Sequence, residues 1–392
     1  MRSAAVPTAD IVMLGSFSVW TLGTLQARAL PLACALAASS GLRFALVTTP
    51  WDDRAQAGLH DISGGVAIYN THAVRQRQAV RIVREQLHLL QQLQPKIIHV
   101  MKPKAAAGMT ADLLARSGRG PRMIVDYDDW EGDGGWNDRA GYPILSRRLF
   151  AYQERRLLGV ADAVTAASTL LEERARRMRA GTGAADVVLL PNGLERDWAD
   201  ELREAARANR VWNEPRLLLY TRFAEFTVEW LDEVLRRVDA ALTTPVEIAI
   251  IGDGRERARG LVGMRRIRPI WHGFVPRASI PNLLGSATIA LYPYDDNLIN
   301  RSKQSVKLLE LMASGCAIVA TDVGDIRRVG GAAIRTAPAG DAAAFADAVV
   351  ELCNDAQQAA ERGRLAQVRA ERFTIERLAQ RLLPLYARLA GA

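Results

Sequence analysis

Residues 300–321 read NRSKQSVKLLELMASGCAIVAT, and this stretch decides the fold class. A polar, basic loop runs into a helix near Ser305. The helix stops at Gly315 and feeds an apolar strand at 317–321. A helix start exposes unpaired backbone N–H groups and the positive end of the helix dipole, which suits a diphosphate. Lys307 can add charge there. Glu310 lies one turn further on the same face, and a carboxylate, which only accepts hydrogen bonds, suits the two hydroxyls of a ribose. The same pair also reads as an ordinary ion pair three residues apart on a helix surface. What sets it apart is charge inside so apolar a helix, next to a strand that begins after a glycine.

Working outward, the helix–strand alternation holds along the chain. Strands are expected at 10–14, 44–48, 96–101, 122–126, 163–166 and 187–190, with helices at 24–39, 79–93, 147–158 and 170–179. Past the proline-bounded polar segment 191–215 the pattern resumes. It has strands at 216–220, 246–251, 267–271, 288–292 and 317–321, and helices at 230–242, 306–313, 341–354, 356–371 and 375–389. Alternating strands and helices predict parallel sheets buried on both faces. With 392 residues the expectation is two doubly wound domains. Such sheets bind ligands outside the carboxyl ends of their strands.

Composition narrows the class. The chain is 49% hydrophobic and 24% charged, as soluble globular proteins are. Its formal net charge is +8. Arginine clusters at 75–84, 147–156 and 174–179 fall in helical stretches and read as solvated faces. The sharper alternative is peripheral contact with an anionic membrane surface or a phosphate-bearing substrate. No basic, aromatic-rich nucleic-acid module is visible. Cys34, Cys316 and Cys353 lack metal spacing, so a reducing, cytoplasmic location is expected. The apolar run 29–38 is too short to span a bilayer. His60, His72, His88 and His99 show no ligand spacing; His99 lies in a strand and reads as a core or cleft-edge residue.

Lys307 to Thr321, KLLELMASGCAIVAT, resembles the donor-site signature of glycosyltransferase family 4, whose members are retaining enzymes of the GT-B fold. Further matches follow in the family's order: ADAVTAAS at 161–168, PNG at 191–193, IGDG at 251–254, HGFV at 272–275 and FTIERLAQRLLPLY at 373–386. The resemblance implies a GT-B α/β chain, two doubly wound Rossmann-like domains facing a central cleft. Residues 1–200 would form the acceptor-side domain and 201–214 a linker. Residues 215–372 would bind the nucleotide sugar, and 373–392 would be a helix crossing back. It implies transfer from a nucleotide-sugar donor to an acceptor of unnamed class, with closure of the domains excluding water.

By resemblance, Glu310 holds the donor ribose, His272, Gly273 and Phe274 meet the base, and Gly252, Asp253 and Gly254 approach the donor. Arg222 matches the family's diphosphate-binding arginine, whose fork neutralises the leaving phosphate. Two family positions differ. A lysine expected five residues after that arginine is Thr227, and a glutamate expected eight residues before Glu310 is Ser302. Arg301, Lys303 and Lys307 are candidates for the missing charge, with Ser305 at the helix entrance. In the N-terminal half, Gly15, Gly23 and Thr24 mark the loop where the family approaches donor phosphate or acceptor; a simple helix start reads the same. Asp128 is the register match to a family histidine facing the reacting sugar.

Asp126-Tyr127-Asp128 also reads as D-x-D, a metal motif of a different transferase fold. The two-domain pattern favours neutralisation by side chains and helix ends, so no metal or other cofactor is expected. Trp130 and Trp136 would stack on a ligand or simply pack. Two rivals remain: a non-catalytic nucleotide-sugar-binding or partner subunit, suggested by Thr227 and Ser302, and a sugar-nucleotide epimerase.

Overall fold

The computed structural model describes residues 7–21, 23–181, 186–254 and 263–391. They form two compact units, Met1–Asn192 with Ile375–Ala392, and Gly193–Thr374.

The first unit holds β1 (Ile11–Leu14), β2 (Phe44–Thr48), β3 (His60–Ser63), β4 (Val66–Asn70), β5 (Ile97–Met101), β6 (Arg122–Tyr127), β7 (Ala163–Ala166) and β8 (Val187–Leu189). They make one sheet in the order β3-β4-β2-β1-β5-β6-β7-β8. All neighbours are parallel except β3, which pairs antiparallel with β4. β1, β2, β5 and β7 are buried along their whole length, which is why each reads as an unbroken apolar run. Strand order reverses between β1 and β5, so the loops after these two strands open a crevice at the carboxyl edge. The helix Ile375–Ala390 belongs to this unit. Its Leu378, Leu382, Leu385 and Tyr386 pack with Leu36, Phe44 and Leu46.

The second unit holds β9 (Arg216–Tyr220), β10 (Val246–Ile251), β11 (Ile267–Gly273), β12 (Ile289–Tyr292), β13 (Ala317–Thr321) and β14 (Ile334–Ala337). All are parallel, in the order β11-β10-β9-β12-β13-β14. Alternate residues serve opposite faces: Leu218, Ala290 and Ile318 enter one core, while Leu217, Leu219 and Val319 enter the other. The reversal here lies between β9 and β12.

The connection expected at 201–214 is instead a helix, Arg196–Asn209. Its Trp198, Ala199 and Leu202 are buried in the core of the second unit, and Ala206 is buried on the same helix. The chain passes between units at Asn192–Gly193, eight residues before the expected boundary at 200, and again at Thr374–Ile375. The polar face of that helix hid its apolar stripe. Among the described residues, no helix is long and apolar enough to cross a membrane.

Candidate functional site

The second unit gathers charge where its strand order reverses. β9 ends at Tyr220 and the chain turns sharply through Thr221–Phe226. Phe223 sits at φ 56°, a conformation a bulky side chain rarely adopts. Its N–H donates to Thr221 Oγ1 at 3.0 Å. Its ring stacks on Trp271 at 5.9 Å. A Cβ on Gly254 would come within 2.1 Å of that ring, and one on Gly252, itself at φ 137°, within 1.8 Å of the Thr221 carbonyl. The two glycines of the IGDG stretch thus admit the turn that carries Arg222. Asp253 is exposed.

That turn presents Arg222 and Glu225 together. Arg222 is largely exposed, with its Nε 3.6 Å from Glu225 Oε1. Glu225 is buried and accepts from Lys303 Nζ at 2.7 Å, Thr221 Oγ1 at 3.2 Å and the Ala224 N–H at 3.3 Å. Burial acts upward on its carboxyl, but Lys303, Arg222 and Lys307 outweigh it and hold the group at about 2. Lys303 comes from the loop after β12. That loop is clamped to the β9 turn by Asn300 Nδ2, which donates to the Glu225 carbonyl at 2.6 Å.

The helix Val306–Ser314 starts at Ser305, whose side chain caps none of the first-turn N–H groups. Lys307 stands over the Tyr220 ring at 4.5 Å. Burial, with Arg222 and Lys303 nearby, brings its amine down to about 8 against the pull of Glu225 and Glu310. Glu310 lies in the buried part of this helix. Trp198 Nε1 donates to its Oε1 at 2.9 Å, and Tyr220 adds a side-chain hydrogen bond. Burial raises its carboxyl above the ordinary range, opposed by Trp198 and Lys307. Arg277 stands over the Trp198 ring, 4.4 Å from its centre. His272 is exposed and Phe274 is 77% exposed at the end of β11. Gly273 accepts from the Gly252 N–H at 2.8 Å.

The positions that differ from the family pattern now have an account. Thr227 begins the helix Val228–Ala241, and Ser302 is buried with its hydroxyl on the Ile299 carbonyl at 2.9 Å. Charge sits beside each of them with the sign exchanged: a carboxylate, Glu225, on the β9 turn and an amine, Lys303, on the β12 loop. Arg301 pairs with Asp296 at the surface.

In the first unit, the loops after β1, β5 and β6 meet at the strand-order reversal. Thr24 Oγ1 donates to Asp128 Oδ2 at 2.6 Å. Asp128 is 8% exposed and its Oδ1 has no hydrogen-bond partner among the described residues. Burial, with Asp129 and Asp126 adding, raises its carboxyl to about 7, against Lys102 and the Thr24 bond. Lys102 Nζ lies 2.8 Å from Asp129, 3.2 Å from Glu131 and 3.7 Å from Asp128. Lys102 and Ala105 both take positive φ, 65° and 54°, so the β5 loop holds strained backbone beside this cluster. Gly23 is exposed. Gly15 serves packing, since a Cβ there would meet Leu25 at 2.6 Å.

Asp126 does something other than Asp128. Arg28 grips both its oxygens, at 2.8 and 2.7 Å, and Thr165 Oγ1 donates to it at 2.6 Å. The same guanidinium reaches the carbonyls of Leu190 and Pro191. Arg28 and Asp126 therefore brace the end of β6 against the segment after β8. His99 is buried between Tyr386 at 2.9 Å and Thr165 at 3.1 Å, and burial lowers its ring to about 4. It is a core residue. Trp130 packs under Arg174, 3.7 Å from ring centre. Many cluster arginines meet local partners: Arg81 meets Glu85, Arg147 Asp138, Arg156 Asp112 and Arg174 Glu154. Arg179 turns inward to the Leu158 and Ala161 carbonyls.

The geometry can be set beside known proteins. The model of glycosyl transferases group 1 matches residues 214–355, and that of the glycosyl transferase 4-like domain matches residues 23–193. A phosphatidyl-myo-inositol mannosyltransferase of Mycolicibacterium smegmatis is 26% identical over 231 residues, a match spanning 57% of this chain and 57% of that relative. Sucrose-phosphate synthase from Thermosynechococcus elongatus superposes with a TM-score of 0.74 at 19% identity, covering 97% of this chain and 99% of that one. An Anabaena protein solved with UDP and glucose gives 0.64 at 14% identity, covering 96% and 99%. With both halves matched in order and the two parallel-sheet units in place, the chain belongs to the glycosyltransferases of the group 1 and 4-like type and has the GT-B fold.

Proposed function

We propose that this chain transfers a glycosyl group from a nucleoside-diphosphate sugar to an acceptor hydroxyl, with retention of configuration. The observation that carries this is the meeting of Arg222, Lys303 and Lys307 at the start of the helix that bears Glu310. A diphosphate there faces three cations and unpaired helix N–H groups, and Glu310 is one turn away for a ribose. Phe274 offers a free ring to a base. Neighbours of the same fold were solved with UDP and with UDP-2-fluoro glucose, which supports a sugar nucleotide as donor.

In the reaction the bond between the anomeric carbon and the phosphate oxygen breaks and its electron pair stays on the phosphate. Arg222, Lys303 and Lys307 stabilise that growing charge. The acceptor oxygen bonds the anomeric carbon on the same face, and its proton passes to the leaving phosphate. Asp128 and Thr24 orient a hydroxyl of the acceptor or sugar. Side-chain cations stand in for a divalent metal, so turnover should survive exhaustive chelation.

The test is turnover of UDP-, GDP- and ADP-sugars against a panel of polyol, glycan and lipid acceptors, with the product anomer read by NMR. Glu310→Gln should weaken nucleotide binding about ten- to hundred-fold, the worth of a hydrogen bond to a charged group. Wild-type affinity in a folded variant would remove the ribose assignment. Thr227 and Ser302 favour a second reading, a subunit that binds the nucleotide sugar without transfer; nucleotide binding with no turnover on any acceptor selects it.

A further inference from the structure

We propose that Glu225 is a positioning residue of the donor site, an internal counter-anion that holds Lys303 and Arg222 for the diphosphate and lets the spent nucleotide leave. This rests on the donor reading above. An acid at the centre of an anion site calls for a reason, and its surroundings supply one. Both carboxylate oxygens are fixed, Oε1 by Lys303 and Oε2 by Thr221 and the Ala224 N–H. Its backbone carbonyl is held by Asn300 Nδ2 at 2.6 Å and by the Asp295 N–H at 2.9 Å. The side chain is therefore set by two loops at once, and Lys303, only 13% exposed, is set by it. A lysine on a flexible loop would otherwise pay rotamer entropy to meet a phosphate.

Charge balance gives the second half of the role. Three cations and one carboxylate leave two net positive charges. A sugar nucleotide's diphosphate carries about two negative charges and the free nucleoside diphosphate about three, since a terminal phosphate adds charge near neutral pH. Without Glu225 the site would match the product better than the donor. The exchanged signs beside Thr227 and Ser302 follow from the same arrangement: the amine is on the β12 loop, and the carboxylate that steadies it is on the β9 turn.

The experiment compares wild type, Glu225→Gln and Glu225→Asp. Calorimetry measures inorganic pyrophosphate, which needs no base, along with UDP and GDP. Steady-state rates with the best donor give kcat, KM and product inhibition. Glu225→Gln should bind pyrophosphate roughly ten-fold tighter, as expected for one charge removed a few ångströms away at a partly wet site. It should also show stronger product inhibition and a lower kcat without a higher donor KM. Glu225→Asp keeps the charge but draws Lys303 back from the phosphate, so pyrophosphate affinity should not rise, in contrast to Glu225→Gln, while kcat falls. If Glu225→Gln fails to fold, the Asp variant decides alone, and an unchanged kcat overturns the proposal. Weaker pyrophosphate binding in the Gln variant, with KM and kcat both worse, also overturns it and makes Glu225 a structural brace. Wild-type protein that binds neither pyrophosphate nor either nucleotide overturns the donor reading, and this proposal with it.

Discussion

Trp198 donates its indole N–H to Glu310 across 112 residues of sequence, at 2.9 Å. The carboxylate proposed for the ribose is thus oriented before any ligand arrives. Each carboxylate oxygen has two lone pairs, so the bond aims Glu310 without exhausting it. Trp198→Phe keeps an aromatic ring in the core and deletes the donor. Affinity for UDP or GDP should fall roughly ten-fold, the share expected of a hydrogen bond to a charged group, with only a small loss in melting temperature. Binding equal to wild type would mean that Trp198 fills space and aims nothing.

Arg222 and Lys307 should matter more to turnover than to folding. Arg222 is 60% exposed, and its ion pair to Glu225 is long. Lys307 forms no ion pair among the described residues and rests on Tyr220. Neither removal opens a core. Arg222→Ala and Lys307→Ala should each melt near wild type yet lose on the order of a hundred-fold in initial rate at saturating donor, as loss of one preorganised charge-stabilising group does. Arg222→Lys should recover only part, lacking the planar fork. Two alanine variants turning over normally would dissolve the cradle.

The pH dependence of donor binding should carry the signature of Lys307. Its amine titrates near 8 in the free protein, and a bound diphosphate favours the charged form. Binding should then take up a proton, and affinity should fall as pH rises past about 8, where the free amine loses its charge. Calorimetry of UDP or pyrophosphate at pH 7, 8 and 9, in buffers of different ionisation heat, reads both the affinity and the proton. Lys307→Arg should move the decline to higher pH. Flat affinity from pH 7 to 9 in wild type would take Lys307 out of the site.

Much of the fold was legible because central parallel strands are buried on both faces. Runs such as LLLY in β9 and AIVAT in β13 need no periodicity to be seen. The β3–β4 hairpin was not. β3 is largely exposed and does not alternate, and its one signal was Gly64-Gly65, both at positive φ, a turn that hairpins favour. The helix Arg196–Asn209 reads as a connection because its charges outnumber its buried stripe. At the site, Glu310 and Lys307 stood out as charges inside an apolar helix. Glu225 and Arg28 did not, because each takes its meaning from a partner 78 and 98 residues away. No local pattern marks a carboxylate that will meet a lysine on another loop.

Asp128 offers a test in which stability and activity should part. Burial and the neighbouring carboxylates raise its acid to about 7, so the native state keeps a proton that the unfolded chain has released from about pH 4 upward. The unfolded state binds fewer protons across that window, so stability falls as pH rises from about 4 to about 7. Asn has the same shape, can still accept from Thr24, and leaves Lys102 its contacts with Asp129 and Glu131. Asp128→Asn should therefore melt higher than wild type at pH 8, with the gap closing near pH 4. If Asp128 orients a reacting hydroxyl, the same variant should lose ten- to hundred-fold in rate, on the order of what a positioned acid–base group contributes. Melts at pH 4, 6 and 8, beside initial rates at pH 8, read both. A lower melting temperature at pH 8 would show that the carboxylate supports the fold through Lys102 and Thr24, and a wild-type rate would remove it from the reaction.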